Sequence, residues 1–242
     1  MESSDTILHS RDNNGVLVIM AKAPRPGSVK TRLTQSLPVE AVTGLYRCLL
    51  DDTIALAHSL RSVKVAIMCP ASDVEELGQL TGGETDVVAQ QGEGLAAGLT
   101  SVFARFTAAG QPRVVAFNSD SPHLPPAVLA SAFEMLTAHD VVVGPTHDGG
   151  YYLVGAKAAH GALFANDGMG TNSALDGLLA SARRLQLSVG FTDPFYDIDV
   201  EGDLTRLAAE LRIAPTRAPR TAAWLREWQQ VIPQLRTAAG DL

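Results

Sequence analysis

Apolar and polar positions alternate along this chain in blocks that predict strand and helix in turn. Val16 to Ala21 is an unbroken apolar run, which suits a strand covered on both faces of a parallel sheet. From Pro38, the residues Val42, Leu45, Tyr46, Leu49, Leu56 and Leu60 recur at helical spacing. Leu50, Ile54 and Ala57 widen that stripe, so this helix should lie largely buried. Ser62 to Cys69 reads as a second strand closed by Pro70, and a helix from about Ser72 to Leu80 follows it. A Gly82-Gly83 turn leads to a third strand, Asp86 to Gln90, and then to a helix ending near Ala109. Arg113 to Phe117 is the fourth strand, Pro126 to Ala138 a helix, and Asp140 to Gly144 the fifth strand. The turn pair Asp148-Gly149 then interrupts the rhythm, and the apolar stretch after it predicts an antiparallel strand. A helix to about Arg184, a strand over Leu187 to Phe191 and a terminal helix over Pro215 to Leu235 complete the pattern. Trp224 and Trp228 share one face of that last helix, to be packed against the domain or a second subunit. The fold class expected is α/β, three layers around a mostly parallel mixed sheet. Residues 15 to 242 would form one domain, preceded by a disordered polar tail over residues 1 to 14.

Composition narrows the function. At 242 residues and 46% apolar, the chain can bury a sizeable core within a single domain. Its formal charge of −7 argues against non-specific nucleic-acid or anionic-membrane binding, both of which favour a basic surface. No apolar stretch is long enough to span a bilayer and the first residues carry no apolar leader, so a cytoplasmic protein is expected. Cys48 and Cys69 have neither metal-ligand nor redox spacing and read as small buried hydrophobes.

Against that acidic background, the loop after the first strand stands out. It carries Lys22, Arg25, Lys30 and Arg32, stiffened by Pro24, Pro26 and Gly27, at the strand end where open α/β sheets bind ligands. Such a loop suits an anion, phosphate above all, although it has neither GxGxxG nor a full Walker A motif. A second stretch, Gln90 to Leu99, is rich in glycine where a strand meets a helix. It is either a place of close ligand approach or an ordinary helix start.

Carboxylates complete the chemistry. Asp120 follows the fourth strand, and Asp197 and Asp199 project to one side if that segment is extended. The alternative for the pair is capping of the following helix, and Asp203 suits a first helical turn. Three converging carboxylates need a cation, and oxygen-only ligands suit Mg²⁺ or Mn²⁺. His123 and His147 read as solvated side chains beside turns.

These residues carry a resemblance. The segments AKAPRPGSVKTRL, NSDSPHLP, GPTHDGGYYLVG and DIDVEGDL, beginning at Ala21, Asn118, Gly144 and Asp197, resemble the GT-A-like nucleotide-diphospho-sugar transferase superfamily. Within it, the chain looks like the bacterial branch that includes arsenosugar-biosynthesis glycosyltransferases. The motif order is also similar to that of phospholactate and phosphoenolpyruvate guanylyltransferases. The resemblance implies metal on Asp120, Asp197 and Asp199, with Lys22, Lys30 and Arg32 gripping phosphates and, with Asp120, forming the catalytic set. It implies a nucleotide site over Ala21, Lys22, Ala23, Pro24, Gly27, Lys30, Thr31, Arg32, Gln91, Gly92, Gly94 and Leu95. The acceptor side would fall on Asp148, Gly149, Gly150, Tyr151, Gly170, Thr171 and Asn172. Asn118-Ser119-Asp120 stands where glycosyltransferases of this fold carry Asp-x-Asp, which brings the layout closer to nucleotidyltransferases. Nucleotidyl transfer from an NTP to a phosphorylated or acidic small molecule is therefore the leading expectation. Glycosyl transfer from a nucleotide sugar and a nucleotide-binding module without turnover are the alternatives, and a homodimer is possible.

Overall fold

In the computed structural model, which describes residues 15–165 and 173–229, one seven-stranded sheet runs through the chain in the order β3-β2-β1-β4-β6-β5-β7. The strands are β1 (Val16–Met20), β2 (Lys64–Cys69), β3 (Asp86–Ala89), β4 (Val114–Asn118), β5 (Val141–Pro145), β6 (Tyr151–Ala156) and β7 (Val189–Phe191). The helices are α1 (Val39–Ser59), α2 (Val74–Leu80), α3 (Gly94–Ala108), α4 (Pro126–Met135), α5 (Ala174–Arg184), α6 (Glu201–Ile213) and α7 (Pro219–Trp228). The α/β class and the mixed, mostly parallel sheet are as the hydrophobic pattern predicts.

Parallel pairing joins β1 to β2 and to β4, β2 to β3, and β5 to β7. β6 alone runs antiparallel, to β4 on one side and β5 on the other. It therefore inserts between two strands that the strand-helix alternation would have made neighbours. Leu17, Ile19, Phe117, Leu153 and Val142 face one apolar layer of the sheet, with α1 and α4 residues Leu50, Leu129 and Phe133. Val16, Val18, Ala116, Val154 and Val143 face the other, with Leu99 and Phe103 of α3 and Leu178 of α5. Burial on both faces is why these strands read as continuous apolar runs.

A third apolar cluster joins α1 to the C-terminal helices. Leu45 and Leu49 meet Leu204, Leu207, Trp224 and Leu225, and the Trp224 and Trp228 rings stack at 5.4 Å. The terminal helical region expected from Pro215 onward is broken, with a short 3-10 turn over Pro215–Arg217 before α7. The expected tail over residues 1 to 14 and the last residues of that helix lie outside the described residues. Among the described residues, no helix is long and apolar enough to cross a membrane.

Candidate functional site

The loop after β1 is held from both sides. The Ala21 N–H donates to the Met68 carbonyl at 3.1 Å, and the Lys22 N–H to the Tyr46 hydroxyl at 3.1 Å. Tyr46 donates back to the Lys22 carbonyl at 3.2 Å and lies 3.1 Å from Ser119 Oγ, tying α1 to the loops after β1 and β4. Burial, and then the nearby Asp120 charge, push the Tyr46 phenol up to about 12. Further along, the Ala23 N–H donates to Asp73 Oδ2 at 2.9 Å. Arg25 reaches Asp73 at 2.7 Å, Glu76 at 2.8 Å and the Ser72 carbonyl at 2.9 Å. Arg25 is therefore a strut to the start of α2, its guanidinium paired with Asp73 and Glu76.

Lys30 takes a different course. It is one of two non-glycine residues among those described with positive φ, at +49°, and its side chain is only 5% exposed. Its Nζ lies 2.8 Å from Asp120 Oδ2 and 2.8 Å from Asp199 Oδ1. Burial opposes the charged ammonium, but the Asp120 and Asp199 carboxylates outweigh it and hold Lys30 well above the ordinary lysine range. Arg32, 63% exposed, approaches Asp199 Oδ2 at 3.4 Å.

Backbone pairing brings the three carboxylates together. The Phe195 N–H donates to the Pro145 carbonyl at 3.0 Å, so the chain after β7 extends the sheet edge beside β5. Ser121 Oγ donates to the Tyr196 carbonyl at 3.0 Å and the Ile198 N–H to the Asp120 carbonyl at 3.3 Å, fixing this extended stretch against the end of β4. Asp203 then caps α6: its Oδ2 accepts from the N–H groups of Asp199 at 3.0 Å and Val200 at 2.9 Å. With capping done by Asp203, Asp197 and Asp199 are left facing Asp120. One oxygen from each of the three lies within 4.8 Å of the others. Burial, and then the Asp199 charge, push Asp197 up to about 6, with Lys30 partly offsetting them. A partly buried, all-oxygen set with one member forced toward protonation fits a hard divalent cation, which would relieve that repulsion.

Beside this cluster opens a cleft of about 910 Å³. Of the predicted nucleotide residues, Ala21, Lys22, Lys30, Thr31, Arg32, Gly92, Gly94 and Leu95 line it, as do Asp120 and Asp199. Ala23, Pro24, Gly27 and Gln91 do not. Ala23 is buried, and the Gln91 N–H donates to Ser101 Oγ at 2.8 Å. Gln90 lines the cleft instead, its amide donating to the carbonyls of Gly92 at 3.0 Å and Gly94 at 3.3 Å. Gly92 and Gly94 have φ of +76° and +82°, so the turn that closes this wall needs residues without a Cβ. Met20, Met68, Pro70, Ala71, Ser72, Tyr46 and Ser119 also line the cleft and were not singled out from the sequence. Their apolar or small side chains read there as core or turn.

Asp148, Gly149, Gly150 and Tyr151 form the β5–β6 turn and do not line the cleft. Thr146 Oγ1 and the Gly150 N–H both donate to Asp148 Oδ1. The Thr146 hydrogen bond is the largest influence holding the Asp148 carboxyl below the usual range, with a smaller contribution from Arg32. Burial raises the Tyr151 phenol well above its ordinary value. Gly170, Thr171 and Asn172 lie outside the described residues. The Leu175 N–H donates to the Gly149 carbonyl at 3.1 Å, joining this turn to α5. His123, expected at the surface, is fully buried.

Comparison places this architecture among known proteins. Residues 53–171 match a family described as an uncharacterized protein conserved in bacteria (DUF2064), a span that includes Asp120 and the Asp148 turn but stops short of Asp197. Over 92% of this chain and 98% of the other, the structure matches a "putative nucleotide-diphospho-sugar transferase" from Desulfovibrio desulfuricans G20, with a TM-score of 0.84 and 28% identity. A nucleotidyl transferase from Methanothermobacter thermautotroptrophicus matches at 18% identity and TM-score 0.55, over 84% of this chain and 100% of that one. CMP:2-keto-3-deoxy-manno-octonic acid synthetase complexed with CTP matches at 11% and 0.51, over 82% and 98%. No curated protein sequence matches the chain. The fold is thus the one shared by nucleotidyltransferases and nucleotide-diphospho-sugar transferases.

Proposed function

We propose that this chain is a metal-dependent transferase that moves a nucleotidyl group from an NTP to a phosphorylated or acidic small molecule. The observation that carries the reading is the meeting, at one cleft, of a loop of cationic side chains with Asp120 and Asp199, which together with Asp197 form a cluster able to share a cation. In this reading Lys22, Lys30 and Arg32, with Thr31 beside them, hold the phosphates. Asp120, Asp197 and Asp199 would hold Mg²⁺ or Mn²⁺, which would supply neutralisation of charge on the reacting phosphate and on the leaving pyrophosphate. The base lies toward Gly92, Gly94 and Leu95, against Met20 and Met68. The acceptor enters from the Asp148–Tyr151 turn and the stretch containing Gly170 to Asn172. An acceptor phosphate or carboxylate oxygen attacks the α-phosphorus, the bond to the β-phosphate oxygen breaks, and pyrophosphate leaves. Because such an acceptor is already ionised, no side chain has to remove a proton, and positioning does most of the work.

Glycosyl transfer from a nucleotide sugar is the second reading, supported by the likeness to the Desulfovibrio protein described as a nucleotide-diphospho-sugar transferase. A thermal-shift panel of NTPs, nucleoside diphosphates and nucleotide sugars, with and without Mg²⁺ or Mn²⁺, separates the two. A ligand at a hundred times its dissociation constant stabilises by about 2.7 kcal/mol, a shift on the order of 5 to 10 °C for a chain of this size. We expect a metal-dependent shift with one NTP. A shift with sugar nucleotides alone selects the second reading, and tight nucleotide binding with no product under any acceptor makes the protein a binding module.

A further inference from the structure

We propose that Lys30 competes with the divalent cation for Asp120 and Asp199, so that the metal site opens only when nucleotide phosphates draw the lysine away. This inference rests on the cleft being the nucleotide site.

The argument starts from the ammonium, which sits 2.8 Å from both carboxylates. Those are two of the three groups able to hold a cation. A magnesium ion binds carboxylate oxygens at about 2.0 to 2.1 Å. A cation within reach of the same two carboxylates would therefore lie only a few ångströms from the ammonium, whose own side chain is 5% exposed. Two positive groups so placed repel each other. In addition, the ammonium already offsets part of the carboxylate charge that attracts the metal.

Lys30 blocks both carboxylates as long as its ammonium stays 2.8 Å from each. It has to move, and the site provides for movement. Lys30 belongs to the loop that lines the cleft, next to Thr31 and Arg32. Its φ of +49° is a conformation that an L residue with a long side chain keeps only when its contacts hold it there. A triphosphate in the cleft offers the ammonium anionic oxygens in exchange for the two carboxylates. Once it has transferred, and with Arg32 drawn from Asp199 to the same phosphates, the three carboxylates face one another without a cationic side chain, which is the condition for metal entry. Because coupling is reciprocal, bound metal then raises nucleotide affinity by the same factor. The alternative role for Lys30, a permanent structural ion pair, predicts that its removal weakens everything nearby, metal binding included.

The test is Mn²⁺ binding without nucleotide, followed by the electron paramagnetic resonance signal of free Mn²⁺, for wild type, Lys30→Met and Lys30→Gln. We expect at least a tenfold gain in Mn²⁺ affinity in both variants. Adding Asp120→Asn to Lys30→Gln should abolish that gain. Equal or weaker binding in both variants overturns the proposal, as does a gain that survives Asp120→Asn. Should the variants be less stable, the melting temperature provides a second readout: Mn²⁺ should raise it more in the variants than in wild type, and an equal rise counts against competition. The outcome also separates this inference from the proposed function. A gain in Mn²⁺ affinity with no nucleotide shift in any protein refutes the nucleotide trigger, whereas a nucleotide shift with no gain refutes only the role of Lys30.

Discussion

His123 is a polar residue placed in an apolar, aromatic setting. It is fully buried, neither ring nitrogen has a hydrogen-bond partner among the described residues, and the imidazole lies 4.9 Å from the Phe195 ring and 4.6 Å from that of Tyr196, centroid to centroid. Burial, and then the charges of Arg217 and Arg206, push it down from 6.5 to about 3. The folded protein therefore keeps it neutral where the unfolded chain protonates it. Between those values the unfolded state binds more protons, so this residue's contribution to stability is complete above pH 6.5 and is lost as pH falls toward 3. For His123→Leu, unfolding in urea should show a flatter pH profile. Between pH 7.5 and pH 5, wild type should lose about 2 kcal/mol that the variant does not, at roughly 1.4 kcal/mol per unit below 6.5. Equal losses would mean that the imidazole finds a partner or water. Nothing near His123 in sequence announces this burial. Its prolines and serines read as a solvated turn, and the aromatic rings that enclose it come from Phe195 and Tyr196, far along the chain.

At the scale of elements, the stretch from Phe195 into α6 decides where two carboxylates point. The spacing Asp197-x-Asp199 put them on one side of an extended segment, and hydrogen bonds to Pro145 and Asp120 keep that segment extended. Tyr152 helps from the other end. Its ring lies over Gly144, where a Cβ would meet it at 2.4 Å, and its hydroxyl donates to the Asp193 carbonyl at 2.9 Å. Asp203, four residues beyond Asp199, accepts from the Asp199 and Val200 N–H groups. Asp203→Ala should cost about 1 kcal/mol of stability, because the third residue of α6 no longer reaches back to the N–H groups before the helix. It should also weaken Mn²⁺ binding, because Asp199 loses the bond that fixes its backbone. Asp203→Asn keeps an acceptor and should recover most of both, as chemical denaturation and Mn²⁺ titration would show. If Mn²⁺ affinity were unchanged in Asp203→Ala, Asp199 would not be held by this cap.

At the scale of the molecule, the C-terminal helices are attached to α1 by more than apolar contact. Asp52 is buried on α1 and accepts from the N–H groups of Arg220 at 3.2 Å and Thr221 at 2.8 Å, capping α7 from a distant part of the chain. Asp52→Ala leaves two helix-start donors without that acceptor in a buried place, at a cost of about 2 to 3 kcal/mol. The expected fall in melting temperature is on the order of 4 to 10 °C, and Asp52→Asn should fall less. An unchanged melting temperature would show that α7 is held by the Trp224 face alone.

What the sequence determined by itself is what neighbours within a few residues decide. Continuous apolar runs marked strands covered on both faces, helical stripes marked α1 and α4, and prolines and glycines marked the loops, because backbone geometry repeats every two or 3.6 residues. That was enough for the class of fold, for the sheet edge where Asp120 and the basic loop emerge, and for the antiparallel turn after Gly144. Tertiary structure alone decided that β6 lies between β4 and β5, that Arg25 turns to Asp73 and Glu76, and that Lys30 is buried between Asp120 and Asp199. The last of these pairs joins residues 169 positions apart. No local period encodes such a contact, since it depends on which strands pair and which charges remain without solvent once they have.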